Sequence, residues 1–194
     1  MFDLSLPSQV LAPQLVGALL SDGEIVLRLT EVEAYAGADD PAAHAWRGPR
    51  PHTRDLFAPA GTLYCYRSHG LHTCGNIVCG EPGGGSAILF RAGRVVAGIT
   101  AVRARRGPVP ERRLASGPGN LGSALGWSLA DSGRVFGAGG LKLEPGRPRG
   151  EVLAGPRTGV SVAWTRPWRF WDADDDTVSA YRASPRIVLG RHDW

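Results

Sequence analysis

The chain has 194 residues, and its 43% apolar and 21% charged content is that of a folded globular protein, not a disordered or fibrous one. No run of about 20 apolar residues occurs, which excludes a membrane-spanning helix. The balance is basic, with a net charge of +4 and a pI near 9.3, and of 22 basic residues only Lys142 is a lysine.

The planar arginine fork suits phosphate, so the charge fits a nucleic-acid partner, although codon usage alone also produces such a bias. The cysteines Cys65, Cys74 and Cys79 form no CxxC pair. The start has neither a basic n-region nor a long apolar run, so a reducing cytoplasm is expected.

In chain order, residues 5–20 read as a helix capped by Ser5 or Ser8, with Val10, Leu11, Leu15, Leu19 and Leu20 as its apolar stripe. A strand follows from Ile25. Its odd positions read Ile25, Leu27, Leu29, then Glu31, Glu33, Tyr35. Alternation makes the odd face the core face, so two carboxylates and a phenol are expected on it. A buried carboxylate without a partner costs several kcal/mol or shifts its pKa. Either these acids do chemistry or they pair with arginines at the rim.

Residues 36–61 form a long polar loop, of the kind that is functional or disordered. Within it Asp40 can cap a short helix that carries His44 back toward the strand end. Residues 62–66 and 71–79 read as a hairpin whose tip is Arg67-Ser68-His69-Gly70. Tyr64 and Tyr66 share one face. A strand is expected at residues 87–91 and a helix at 95–106, ending in Arg103, Arg105 and Arg106, where the dipole favours cations. The turn Ser116-Gly117-Pro118-Gly119-Asn120 opens a short helix whose amides suit a phosphate. Strands are expected at 141–143 and 160–163, an aromatic strand or helix at 167–171, and a closing strand at 187–189.

Nucleophilic catalysis lacks its signature, since there is no Gly-x-Ser-x-Gly elbow. Gly83-Gly84-Gly85 lacks the lysine of a phosphate loop and reads as a turn. A zinc site from His72, Cys74 and Cys79 is disfavoured, because residues 72 and 74 point one way along the strand and 79 the other. What remains is a carboxylate able to activate water, lined by tyrosines and a histidine.

Several stretches, in order and at compatible spacing, resemble the alkyladenine (3-methyladenine) DNA glycosylase family. They are Thr30-Glu31-Val32-Glu33-Ala34-Tyr35 with Asp39, Asp40 and Ala42-Ala43-His44; Pro59-Ala60-Gly61-Thr62-Leu63-Tyr64-Cys65-Tyr66; Cys74-Gly75-Asn76-Ile77; and Leu89-Phe90-Arg91-Ala92. Ser116-Gly117-Pro118-Gly119-Asn120-Leu121, Gly155-Pro156-Arg157-Thr158-Gly159-Val160 and Pro167-Trp168-Arg169-Phe170 complete the series.

The resemblance implies an α+β fold of one domain over residues 1–194: a curved, mainly antiparallel sheet, flanking helices and a protruding hairpin that inserts into DNA. It implies a monofunctional base-excision repair enzyme that flips a damaged purine from double-stranded DNA and hydrolyses its N-glycosidic bond, leaving an abasic site. By motif, Glu33 is the general base and Arg91 helps to fix its water. Tyr35, His44 and Tyr66 stack around the base, and Asn76 clashes with the 2-amino group of guanine. His69 at the hairpin tip fills the gap in the duplex, assisted by Arg67, where the best-known members carry tyrosine. Arg103, Arg105, Ser116, Gly117 and Asn120 are expected on the DNA backbone. No metal or other cofactor, no membrane and a monomer acting on the chromosome are implied.

The acidic run from Asp172 to Asp176 replaces a turn expected after the Trp-Arg-Phe segment, and the sequence offers no role for it. Two rivals stand beside this reading. One is a non-catalytic nucleic-acid-binding module on the same fold. The other is a sugar hydrolase using Glu31 and Glu33 as acid and base, with Cβ atoms about 6.5–7 Å apart along one strand.

Overall fold

The computed structural model describes residues 1–187. Its elements are α1 (Ser8–Leu15), β1 (Leu19–Asp22), β2 (Ile25–Ala36), β3 (Leu63–Ser68), β4 (His72–Cys79), β5 (Ser86–Ala97), α2 (Ile99–Arg106), α3 (Pro118–Leu125), β6 (Leu141–Glu144), β7 (Val152–Gly155) and β8 (Arg169–Asp172). This is an α+β fold around one antiparallel sheet in the order β3-β4-β5-β2-β1-β6. The long strand β2 branches: β1 lies against its first half, and β8, itself paired with β7, lies against Glu31–Glu33. That branching curls the sheet. One face packs α1 and α3 over a core that includes Leu11, Leu15, Leu27, Leu29, Val32, Ile88 and Phe90.

Three local expectations change. The first helix ends at Leu15, and Leu19 and Leu20 belong to β1. Gly17 breaks it, with φ at 90° and so little room that an added Cβ would lie 2.2 Å from the Pro148 nitrogen. Pro7, not a serine, occupies the cap position. The Ser8 hydroxyl instead donates to the Tyr35 carbonyl at 3.1 Å, tying α1 to the end of β2. Second, Val95 extends β5, and α2 begins only after Gly98, whose φ is 75°. β-branched residues at 95 and 96 favour the strand. Third, residues 160–163 form no strand. The backbone there serves a side chain: the Ala163 carbonyl accepts from Arg157 at 3.3 Å. The closing strand expected at 187–189 lies outside the described residues except for Ile187.

The acidic run closes turns. Asp172 accepts the amides of Arg149, Gly150 and Asp174. Asp175 is gripped by Arg28 and Arg94 and also accepts from Thr177, and Asp176 pairs with Arg94. Among the described residues no group of three or more His, Cys, Asp or Glu stands ready for a metal.

A candidate active site at a double bulge

Core-facing positions on β2 are odd up to Leu29 and even from Val32 onward. The cause lies in the pairing with β5. Leu29 faces Gly93, Glu31 faces Ala92, and Val32 faces Phe90. Thr30 is therefore an extra residue on β2, and Arg91 is an extra residue on β5. Two β-bulges sit side by side, and each swaps inside for outside on its own strand. The expectation of acids on the core face is thus corrected. Beyond the bulge Glu33 and Tyr35 point away from the hydrophobic cluster, and Arg91 is swung toward them.

Both carboxylates are fully buried. Glu31 is the structural one. Its Oε1 accepts from Arg91 Nε at 2.8 Å and Arg169 Nε at 2.6 Å, and its Oε2 accepts from the Ser179 amide at 2.7 Å. Burial alone would raise its pKa, but Arg91 and Arg169 outweigh burial and hold the carboxyl below its ordinary value. Glu31 is thus committed to two guanidiniums and a backbone amide, and the paired acid and base of a sugar hydrolase finds no support in this geometry.

Glu33 is held differently. Its Oε2 accepts from the Tyr35 hydroxyl at 2.9 Å and lies 3.3 Å from Arg91 Nη1. Its Oε1 accepts from the Thr158 amide at 2.7 Å. Three donors fix the plane of the carboxylate and leave lone pairs for one more partner. Burial and the Glu33 charge push the Tyr35 phenol well up, so it stays a donor. Arg91 is desolvated, yet Glu33 and Glu31 keep its guanidinium charged.

Tyr35, Arg91 and Thr158, the three residues that hold Glu33, line a cavity of about 1000 Å³, at the upper end of small-molecule sites. Its wall contains Tyr35, His44, Tyr64, Tyr66 and Asn76. Tyr64 and Tyr66 stack with ring centres 5.9 Å apart, and His44 meets Tyr66 edge-on at 4.6 Å. The long loop does carry His44 back to the strand end, through an Asx turn in which the Ala42 amide donates to Asp40 at 3.1 Å instead of through a capped helix. His44 Nδ1 lies 3.2 Å from the Tyr64 hydroxyl. Burial and the neighbouring His52 lower its pKa, so the ring is neutral at pH 7. Asn76 is buried and donates to the Tyr64 carbonyl at 3.1 Å.

Of the remaining expected residues, His69, Gly117 and Asn120 line the cavity. His69 and Gly70 both have positive φ, and the Leu71 amide donates to the Ser68 carbonyl at 3.1 Å across the turn. Arg67 is exposed on β3 next to this turn. The Ser116 carbonyl accepts from Asn120 Nδ2 at 2.6 Å. Arg105 donates to the Ala124 carbonyl at 2.9 Å and stands in a second hollow of about 450 Å³ beside His72. Arg103 pairs with Glu111 at 3.6 Å and lines neither cavity.

Sequence reasoning gave no role to four residues that build the site. Arg157 is buried, grips Asp40, and stacks its guanidinium 4.6 Å from the Tyr35 ring and 5.3 Å from Trp168. Thr158 supplies the amide to Glu33. Arg169 lies over Trp171 at 4.5 Å, and Ser179 completes the Glu31 cage. A lone arginine among aromatics, as in Pro167-Trp168-Arg169-Phe170-Trp171, is a visible cation–π signal. Nothing in the sequence marks Ser179.

A family model described as methylpurine-DNA glycosylase (MPG) matches residues 2–176. A protein of Cutibacterium acnes is 50% identical over 190 residues, covering 94% of this chain and 100% of its own length. Relatives in Corynebacterium efficiens (44% identical; 95% of this chain, 97% of theirs) and Frankia casuarinae (45%; 93% and 91%) align over similar spans. All three carry the words 3-methyladenine DNA glycosylase in their names. With a family match over most of its length and relatives of this closeness, the chain belongs to the methylpurine-DNA glycosylase family.

Proposed function

We propose that this chain, working as one catalytic domain, excises alkylated or deaminated purines from double-stranded DNA by hydrolysing the N-glycosidic bond. The observation that carries the reading is Glu33: a buried carboxylate held by Tyr35, Arg91 and the Thr158 amide, three residues that themselves line an aromatic-walled cavity.

In the proposed reaction a water on the free lone pair of Glu33 gives up a proton to the carboxylate. Its oxygen attacks C1′ of the sugar. The C1′–N bond breaks with its electron pair going to the base, and an alkylated, cationic base leaves neutral. Arg91 stabilises Glu33 and faces the same water. Tyr35, Tyr66 and His44 hold the extruded base by stacking, each good cation–π contact being worth about 0.5–2 kcal/mol. A neutral His44 adds no repulsion against a cationic base. Extrusion itself costs a few kcal/mol and is easiest at damaged pairs. The hairpin tip, with His69 and Leu71, fills the gap in the duplex. A phosphate is expected at the start of α3, where Gly117 and Asn120 border the cavity. The only lysine, Lys142, sits on edge strand β6 and not on the cavity wall, which supports hydrolysis without a Schiff base.

The test uses duplexes carrying hypoxanthine or an etheno-adenine, treated with alkali after incubation. Wild type is expected to produce strand breaks. Glu33→Gln is expected to lower the single-turnover rate by about 10²–10⁴-fold while still binding the duplex. No breaks at any damaged purine would sink the proposal.

A further inference from the structure

The family match ends at residue 176, but the cavity wall does not: Arg182, Ser184 and Arg186 also line it. This tail is fastened to the body at two points, Ser179 and Arg182, and turned on itself at Ser184. At Ser179 the amide donates to Glu31 at 2.7 Å, the hydroxyl accepts from Arg91 Nη2 at 3.2 Å, and the carbonyl accepts from Arg169 Nη2 at 2.9 Å. The Gly159 amide donates to the Arg182 carbonyl at 2.9 Å. Ser184 is buried and turns the chain, its hydroxyl and carbonyl accepting the Arg186 and Ile187 amides, each at 3.2 Å. Two of these anchors, Arg91 and the loop of Thr158 and Gly159, are also what holds Glu33.

The side chains of the tail have a different character. Arg182 and Arg186 are exposed yet line the cavity, so they stand on its rim. Among the described residues neither forms an ion pair or hydrogen bond through its guanidinium. That sets them apart from Arg28, Arg91, Arg94, Arg134, Arg157 and Arg169, which are all paired with carboxylates. A guanidinium has five donors and no acceptor. Two of them, unpaired, on a backbone anchored at Ser179 and Arg182, at the mouth of a cavity, form a cradle for an anion.

We propose that residues 177–187 are a working wall of the site, and that Arg182 and Arg186 grip phosphates of the strand bearing the extruded nucleotide. This rests on the glycosylase reading, which supplies the polyanion. Phosphate contacts fix register and orientation without reading sequence. Here they would hold the sugar of the extruded nucleotide against Glu33, because the tail and Glu33 share Arg91.

The experiment is binding of a duplex containing a tetrahydrofuran abasic analogue, followed by fluorescence anisotropy across a salt series, with hypoxanthine excision measured alongside. Each lost phosphate contact lowers the magnitude of the log–log salt slope by about one. Arg182→Ala and Arg186→Ala are each expected to show that loss, with roughly tenfold weaker affinity at low salt. The lysine variants are expected to keep the wild-type slope. Wild-type slopes in both alanine variants, with an active wild-type enzyme, overturn the tail assignment alone. Tighter binding by the alanine variants overturns it too, since the tail would then obstruct the site. A wild-type chain that neither binds nor excises overturns both readings.

Discussion

His69 and Leu71 stand two positions apart at one turn and offer a duplex different things. Histidine is a polar ring on strained backbone, with φ at 50°. Leucine is an apolar side chain that is 79% exposed, a wedge of the type that unstacks base steps. Truncating a side chain this exposed leaves folding stability within about 0.5 kcal/mol. If it enters DNA, Leu71→Ala gives up about 1–2 kcal/mol of burial, seen as five- to thirtyfold weaker binding to a lesion duplex. His69→Ala is expected to lower excision at every pH, more at normal-looking pairs such as those of hypoxanthine than at distorted ones. Both variants excising at wild-type rates would remove the tip from the mechanism.

At the scale of elements, the site depends on a buried cation between two aromatic rings. Arg157 joins the loop at Asp40 to the Tyr35 platform and to Trp168, and donates to the Ala34 carbonyl at 3.0 Å. Arg157→Ala leaves Asp40 buried without its guanidinium, which destabilises by about 3–5 kcal/mol. Urea unfolding is the check, and a loss below 1 kcal/mol would show that the sandwich is incidental. The sequence displayed part of this architecture. Alternation located β2, β3 and β4, the tyrosine pair on β3, and the displaced acids on β2. It could not show which way the acids face, because a bulge is a relation between two strands and leaves no mark in either alone. Arg157 and Ser179 were illegible for a related reason. Their partners lie 117 and 148 residues away, and no local period encodes that. Val95 misled because its helical spacing competes with a β-branched preference that only pairing with Leu27 decides.

The molecule as a whole carries its buried charge in clusters, which sets its response to acid. Glu31 and Asp175 have folded pKa values below their ordinary ones: for Glu31 the arginines overcome burial, and for Asp175 Arg94, Thr177 and Arg28 do. His44 is likewise lowered, by burial and His52. In each case the folded state binds protons less readily than the unfolded chain. Their stabilisation is complete above the unfolded values, near 6.5 for histidine and about 4 for the carboxyls, and is lost as pH falls through the folded values. Tm is therefore expected to be level from pH 8 to 7, to start falling below about 6.5, and to fall more steeply below about 4. His44→Asn should flatten the upper part of that decline; an unchanged curve would show that the ring titrates normally. The paired bulges have a wider consequence. Two one-residue slips, Thr30 on one strand and Arg91 on its neighbour, cancel, so the ladder is back in phase on either side. The geometry around Glu33 is then a two-part property. Deleting Thr30 alone would keep Glu33 on its present side, since Leu29 and Val32 would then alternate regularly, but it would leave the Arg91 bulge uncompensated and the two strands out of step by one. A length change in either strand at this point is therefore expected to be tolerated only with a matching change in the other.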